Sequence, residues 1–585
     1  MPLLQAVATG LIALILAPGL FFYFDVTPKL AVLLAATALL LPFALPRPRR
    51  GIVFILILLY ACSLILSASL STNPGLSWFG SNWRRYGAIT QIALFLFAYI
   101  ASTPSHHRLV LRGIVISTAI ASLYGVAQFA GFDPLLPSTA YHVGEGVWTI
   151  VRPPSTLGYV SYFATWLAVA VFLAGILAAR EKGVWRHVTR VTIGFACSAL
   201  VLTGSRAAWL GLAAGAVVWI FRSGGRVPRR AALIAAGALA GVAALYISPA
   251  GQPLRSRTRW FVEDPWGGAR PTLWRDSFVM GLSRPLAGFG PETFTAQFPR
   301  HESIRLAQAY PDFAHESPHN IFLDALVSQG LPGLLLLAAL TIAGLAAAFR
   351  SPHPGLSAAL TAGLVSQQFT VFTIPTALIT FLAVALAFEA APPFRARWTT
   401  IAFAPIALAL FYCAVRYTLA DSALAQTQRD LGSGNLRAAS EHYRRYSSLR
   451  FPGTAADLWY SRSLYEFARR TSDANTRIQA IVQSGVAGMQ ATGTAEDPFD
   501  AWYNLAQLSA TRNDAAGAER ALRSAIAAHP NWFKPHWTLA QLLVLLGRGP
   551  EASAEAALAV QLDAGKHPEV QQTLAPILKP AAFQR

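Results

Sequence analysis

The stretch SPHNIFLDALVSQGLPGLLLL, residues 317–337, decides how the chain is read. Ser317, Pro318 and Asn320 make a helix start, with a proline early in the turn. The predominantly apolar run that follows is long enough to cross a hydrocarbon core of about 30 Å, so a membrane helix is expected over 319–349. His319 then stands at its mouth. An imidazole can take a proton from a hydroxyl near neutral pH. The dipole at a helix N-terminus disfavours its protonated form. A histidine at such a place also serves as a capping or hydrogen-bonding group, and His315 can do the same work. Position alone leaves the choice open.

The rest of the chain follows the same grammar. Its 585 residues are 54% hydrophobic and 13% charged, with a mean hydropathy of +0.43; a soluble domain is about 25% charged. Further spans are expected at 3–23, 28–46, 52–70, 86–102, 109–131, 157–179, 188–204, 207–222, 230–248, 356–372, 375–391 and 399–419. Pro375 divides the last run before 391 into two. An all-α, polytopic membrane helical bundle of about 12–13 spans follows. The N-terminal stretch lacks a charged region and a small-residue cleavage pattern, and reads as a retained first helix. Cys62, Cys197 and Cys413 lie in apolar segments and imply no disulfide framework.

The net charge of +19 is concentrated in the membrane part. Residues 420–585 hold 17 Lys and Arg against 15 Asp and Glu, leaving 30 against 13 for the rest. That distribution argues against a nucleic-acid partner. Basic loops at 46–50, 106–112, 179–190, 222–230 and 392–398 alternate along the chain, as the positive-inside rule requires of one cytoplasmic side. The N-terminus is then cytoplasmic. A large loop, 249–318, and everything after 419 are periplasmic, in a bacterial inner membrane.

The C-terminal part changes character. Leu505 and Leu539 are 34 residues apart, as are Ala506 and Ala540, the spacing of tetratricopeptide helix pairs. Two domains are expected: 1–419 in the membrane and 420–585 as a periplasmic α-solenoid. Such stacks bind partners through a concave face, so the repeats offer a surface to a protein partner, a passive cap or spacer being the other reading.

Arginines on the outer side need explaining: Arg84, Arg85, Arg152, Arg206, Arg270 and Arg275. Arg206 is the sharpest case, in a turn so short that its side chain stays at or within the membrane. Guanidinium forks match phosphate oxygens and stay ionised. Several converging at the outer leaflet suit a lipid-linked pyrophosphate.

At these residues the chain resembles the O-antigen ligase superfamily, which includes O-antigen ligases, O-antigen polymerases and O-linked protein oligosaccharyltransferases. The carrying residues are His319-Asn320 followed by Gly330 and Gly333, RPPSTLGYVSYFATWL (152–167), LTGSRAAWLGLAAG (202–215) and GARPTLWRDSFVMGLSRPLAGFGPETF (268–294). Tyr159 departs from the Asn or Pro common after the Thr-x-Gly element. The likeness covers roughly residues 50–390 and implies a GT-C-like membrane glycosyltransferase whose donor is a glycan on undecaprenyl pyrophosphate. It matches His319 to the catalytic histidine, and Arg206 and Arg270 to arginines that hold the pyrophosphate. Arg275, Arg85, His315 and Asn320 are weaker expectations from proximity in sequence.

The expected reaction is attack of an acceptor hydroxyl on the anomeric carbon, with inversion, as the pyrophosphate leaves. Arginines stabilising the leaving charge would make it metal-independent and cofactor-free, although Glu292, Glu302, Asp312 or Glu316 offers an isolated carboxylate to an ion. The acceptor is lipid A–core, a glycan or a protein. A polysaccharide polymerase is the alternative, and a non-catalytic lipid-linked glycan transporter or scaffold a second.

Overall fold

A computed structural model describes residues 1–44, 52–143, 150–225, 229–263, 268–388 and 397–578. The basic stretches 46–50 and 392–396, and 226–228 of a third, lie outside the described residues. Each expected span has a helix, and Pro354–Gln367 and Ile374–Ala387 are separate, with Pro375 in the first turn of the second. Among the described residues, six helices are long and apolar enough to cross a membrane: Thr27–Ala44, Ile52–Ser69, Pro104–Phe129, Val160–Arg180, Ile321–Arg350 and the stretch Ile401–Gly432. The chain is a multi-pass, all-α membrane protein.

Val160–Arg180 is the central post. Phe163, Trp166, Leu167 and Leu173 are fully buried, and Trp166 Nε1 donates to Thr118 Oγ1 at 3.0 Å. Apolar side chains all around this helix find protein neighbours rather than lipid.

The first span is shorter than expected. Pro2–Leu14 ends where Ile15 turns extended, and Gly19 follows at φ +79°. Pro18 cannot donate to a helix, and Gly19 takes a backbone that other residues avoid. The turn sends Phe22 and Tyr23 to pack against the solenoid.

Ile321–Arg350 is broken at Gly330, whose φ of +69° and ψ of −163° only glycine adopts readily. The break frees carbonyls that the loop 285–290 uses. Phe289 N donates to Val327 O and Gly290 N to Ser328 O, both at 2.9 Å, and Leu331 N donates to Pro285 O at 2.7 Å. A Cβ on Gly330 would lie 2.3 Å from Pro285 O. The spacing of Gly330 from His319 is therefore a packing requirement that fixes the helix mouth. Gly330→Ala is expected to cost about 2–3 kcal/mol, from strain at a glycine-only conformation plus the clash. Thermal unfolding of the purified protein checks this, and an unchanged Tm refutes it.

Arg397–Gly432 passes without interruption through residue 419, the expected domain limit. Its later turns join the solenoid core, where Ala423 and Leu424 meet Leu436, Tyr443 and Tyr446. The helices Leu436–Leu449, Asp457–Arg470 and Ala474–Thr494 come next. Pro498–Ala510 then pairs with Ala515–Ala528, and Phe533–Leu545 with Gly549–Asp563. Ala506 and Ala540 are 2% and 0% exposed, so the 34-residue spacing marks where small residues let paired helices approach.

Candidate active site

The described parts of 249–318 are largely helical, with Gln252–Glu263, Arg270–Ser283 and Ile304–Ala309 among their helices. Arg206 opens the helix Arg206–Arg222, and Arg270 opens Arg270–Ser283, so each guanidinium starts from a helix end that already favours anions. Arg257 comes from Gln252–Glu263, where its Nε donates to Gly204 O at 3.2 Å. Arg152 follows the strand Ile150–Val151, which pairs antiparallel with His142–Val143, and its guanidinium lies 5.4 Å from the Tyr159 ring centre.

These four cations share one field. Burial, then repulsion from Arg152 and Arg206, pushes Arg257 down to about 9. Burial, then Arg206, lowers Arg270 as well. Tyr159 works against both shifts. A cluster that repels itself this strongly favours an anion among its members. Arg206 and Arg270, expected from the sequence, do come together. Arg257 was missed, although RSRTRW (255–260) places three alternating arginines on the expected outer side.

His319 adjoins this field. It is a non-glycine residue at φ +51°, one position before the helix cap. Asn320 is that cap: its Oδ1 accepts from Phe322 N at 2.9 Å and Leu323 N at 3.1 Å. Its amide donates to Gln368 Oε1 at 3.1 Å, tying the mouth to the end of Pro354–Gln367. Asn320 is thus committed to holding backbone. Ser317 Oγ lies 3.3 Å from His319 Nδ1. With Nδ1 donating to that hydroxyl, Nε2 presents a lone pair. Burial, then Arg270, His315 and Arg84, pulls the imidazole down to about 4. It is neutral at pH 7, and Arg270 is the neighbour it shares with the cationic cluster.

Behind the mouth, Arg84 is 3% exposed. Its Nε donates to Glu292 Oε1 at 2.6 Å, and its two terminal nitrogens donate to the Asp324 oxygens at 3.3 Å each. Burial disfavours the cation, but Asp324 and Glu292 outweigh it and raise its pKa. Ser81 N donates to the second oxygen of Glu292 at 3.1 Å.

Other expected residues lie elsewhere. Arg85 is boxed by the rings of Tyr23 at 5.4 Å and Tyr417 at 5.3 Å, where the N-terminal turn meets the last membrane helix. It is a packing cation there, apart from the arginine cluster. Arg275 is exposed on Arg270–Ser283. Five positions rotate a helix by about 140°, so it faces away from Arg270. His315 is held edge-on to Phe298, Tyr310 and Phe313, with Nε2 3.9 Å from Glu302. Glu302 also accepts from His529 at 2.7 Å, and Asp312 from Lys534 at 2.6 Å. Glu316 is different: its side chain is accessible, and its pKa is raised by partial desolvation, which Arg84 opposes. Among the described residues, no three His, Cys, Asp or Glu side chains gather as a metal site.

Residues 191–338 match the family model described as O-antigen ligase. The matched segment holds Arg206, Arg257, Arg270 and His319 together. No curated protein matches the chain. One solved structure, "Crystal structure of APC/C hetero-tetramer Cut9-Hcn1", aligns at 11% identity over 96% of this chain and 85% of that chain, with a TM-score of 0.21, too low to carry an argument.

Proposed function

We propose, from a chain that carries an O-antigen ligase domain over residues 191–338, that it transfers a glycan from undecaprenyl pyrophosphate to an acceptor hydroxyl. The observation that carries this reading is the meeting of Arg152, Arg206, Arg257 and Arg270 beside a neutral His319. The alternating basic loops support a periplasmic site, with the N-terminus in the cytoplasm of a bacterial inner membrane and the repeats, from about residue 420, in the periplasm.

The arginines bind the donor pyrophosphate and stabilise the charge that grows on it as the anomeric carbon–oxygen bond breaks. His319 accepts a hydrogen bond from the acceptor hydroxyl and takes its proton as the new bond forms. The donor's negative charge offsets Arg270 and raises the proton affinity of His319, so donor binding readies the base. Guanidinium charge supplies what a divalent cation would supply, which supports a metal-independent route. Attack from the face opposite the leaving group inverts the anomeric centre.

The acceptor hydroxyl belongs to lipid A–core or to a protein, with a growing glycan as the alternative. Purified protein in nanodiscs, given lipid-linked glycan and each acceptor separately, tests the reading. Arg257→Ala and Arg206→Ala are expected to lower kcat/KM for the donor by about 100-fold each, as loss of one charge-stabilising donor does elsewhere, with Tm unchanged. Normal donor use by both variants would remove the phosphate role.

A further inference from the structure

The chain segment leading to His315 also walls a cavity of about 440 Å³ against the solenoid. Three rings, Phe499, Tyr503 and Trp532, form one side. Trp532 stands edge-on to Phe499 at 5.6 Å and to Tyr503 at 5.0 Å. Arg462, Asp500 and Gln507 add donors and acceptors, with Arg462 bonded to Asp500 at 2.6 Å. Asp497 joins them; burial, then Asp500, pushes its carboxyl above the ordinary carboxylate range. Among the lining residues only Ala314 is aliphatic.

Bonds tie the two walls of the cavity together. His529 Nε2 meets Glu302 at 2.7 Å, Asn531 donates to Glu302 O at 2.6 Å, and Lys534 donates to Asp312 at 2.6 Å. His529 lines the cavity at 5% exposure, and its Nδ1 has no hydrogen-bond partner among the described residues.

We infer that this cavity binds a saccharide, the extended part of the acceptor glycan, an assignment whose word "acceptor" rests on the transfer reaction proposed above. Its volume falls in the range of small-ligand sites. Apolar C–H faces of a pyranose pack on flat rings, and its hydroxyls take paired bonds from carboxylate, amide and guanidinium. An aliphatic peptide side chain would meet only Ala314 of its own kind among the lining residues. Ala314 is five positions before His319, so its Cα lies within about 18 Å of the His319 Cα even if the chain were fully extended.

The test uses full-length protein in nanodiscs carrying His319→Ala, so that binding is read without turnover. The probes are deacylated lipopolysaccharide core and tagged neutral di- to tetrasaccharides, with a library of unmodified peptides alongside. At least one oligosaccharide is expected to bind, and Tyr503→Ala to weaken it by about tenfold or more. Gln507→Ala, at an exposed position, is expected to weaken it as well while leaving Tm unchanged. No oligosaccharide binding, equal binding by both variants, or Tyr503-dependent peptide binding would each overturn the assignment. Full transfer by the His319→Ala protein would instead defeat the catalytic reading and leave the binding result intact.

Discussion

His319→Ala is expected to reduce transfer by about 10²–10⁴-fold, the usual loss when a positioned base is removed, with donor affinity and Tm little changed. The imidazole is held by its Ser317 contact and the helix mouth by the Asn320 cap, so alanine removes the base without releasing the mouth. The pH profile separates a base from a structural group. In the free enzyme the imidazole sits at about 4, lowered from its ordinary value by burial and nearby cations. Its neutral form is the active one, so kcat/KM for the donor stays flat from pH 8 to about 5 and falls as pH drops through about 4. In the donor-bound complex the pyrophosphate cancels part of that cationic field. The acidic limb of kcat therefore lies at higher pH than the limb of kcat/KM. Coincident limbs, or full transfer by the alanine variant, would sink the role.

Arg84→Met is expected to destabilise the protein by about 3–5 kcal/mol, the cost of stranding a buried charge. Arg84 faces two carboxylates in a place with little water, and Glu292 is itself 7% exposed. Methionine keeps much of the volume and leaves both carboxylates unopposed. The combined replacement Arg84→Met, Glu292→Gln, Asp324→Asn should recover a large part of the loss, because no uncompensated charge remains. Thermal unfolding of the purified variants reads this directly. A single variant as stable as the parent would show that Arg84 holds nothing together.

Much of the frame was legible because lipid allows few solutions. Apolar length gave the spans, Pro375 gave the split, and the polar cluster before Ile321 gave the helix start. The 34-residue spacing gave the repeats. What escaped depends on distant partners. The break at Gly330 exists because the loop 285–290 needs the freed carbonyls, and no local pattern states that. Arg84 and Arg85 look alike in sequence. A left-handed turn at Arg85, φ +51°, sends one guanidinium to Glu292 and Asp324 and the other to Tyr23 and Tyr417. Arg206 and Arg270 were findable as outer-side arginines in stretches that resemble the family's motifs. Arg257 was not, since only folding of the loop brings it beside Gly204.

The unbroken helix Arg397–Gly432 makes the repeats a rigid outrigger rather than a tethered module. Adding one residue within it would swing everything beyond through about 100°. An acceptor held by the repeats, as inferred above, would therefore be presented at a height and bearing that this helix sets.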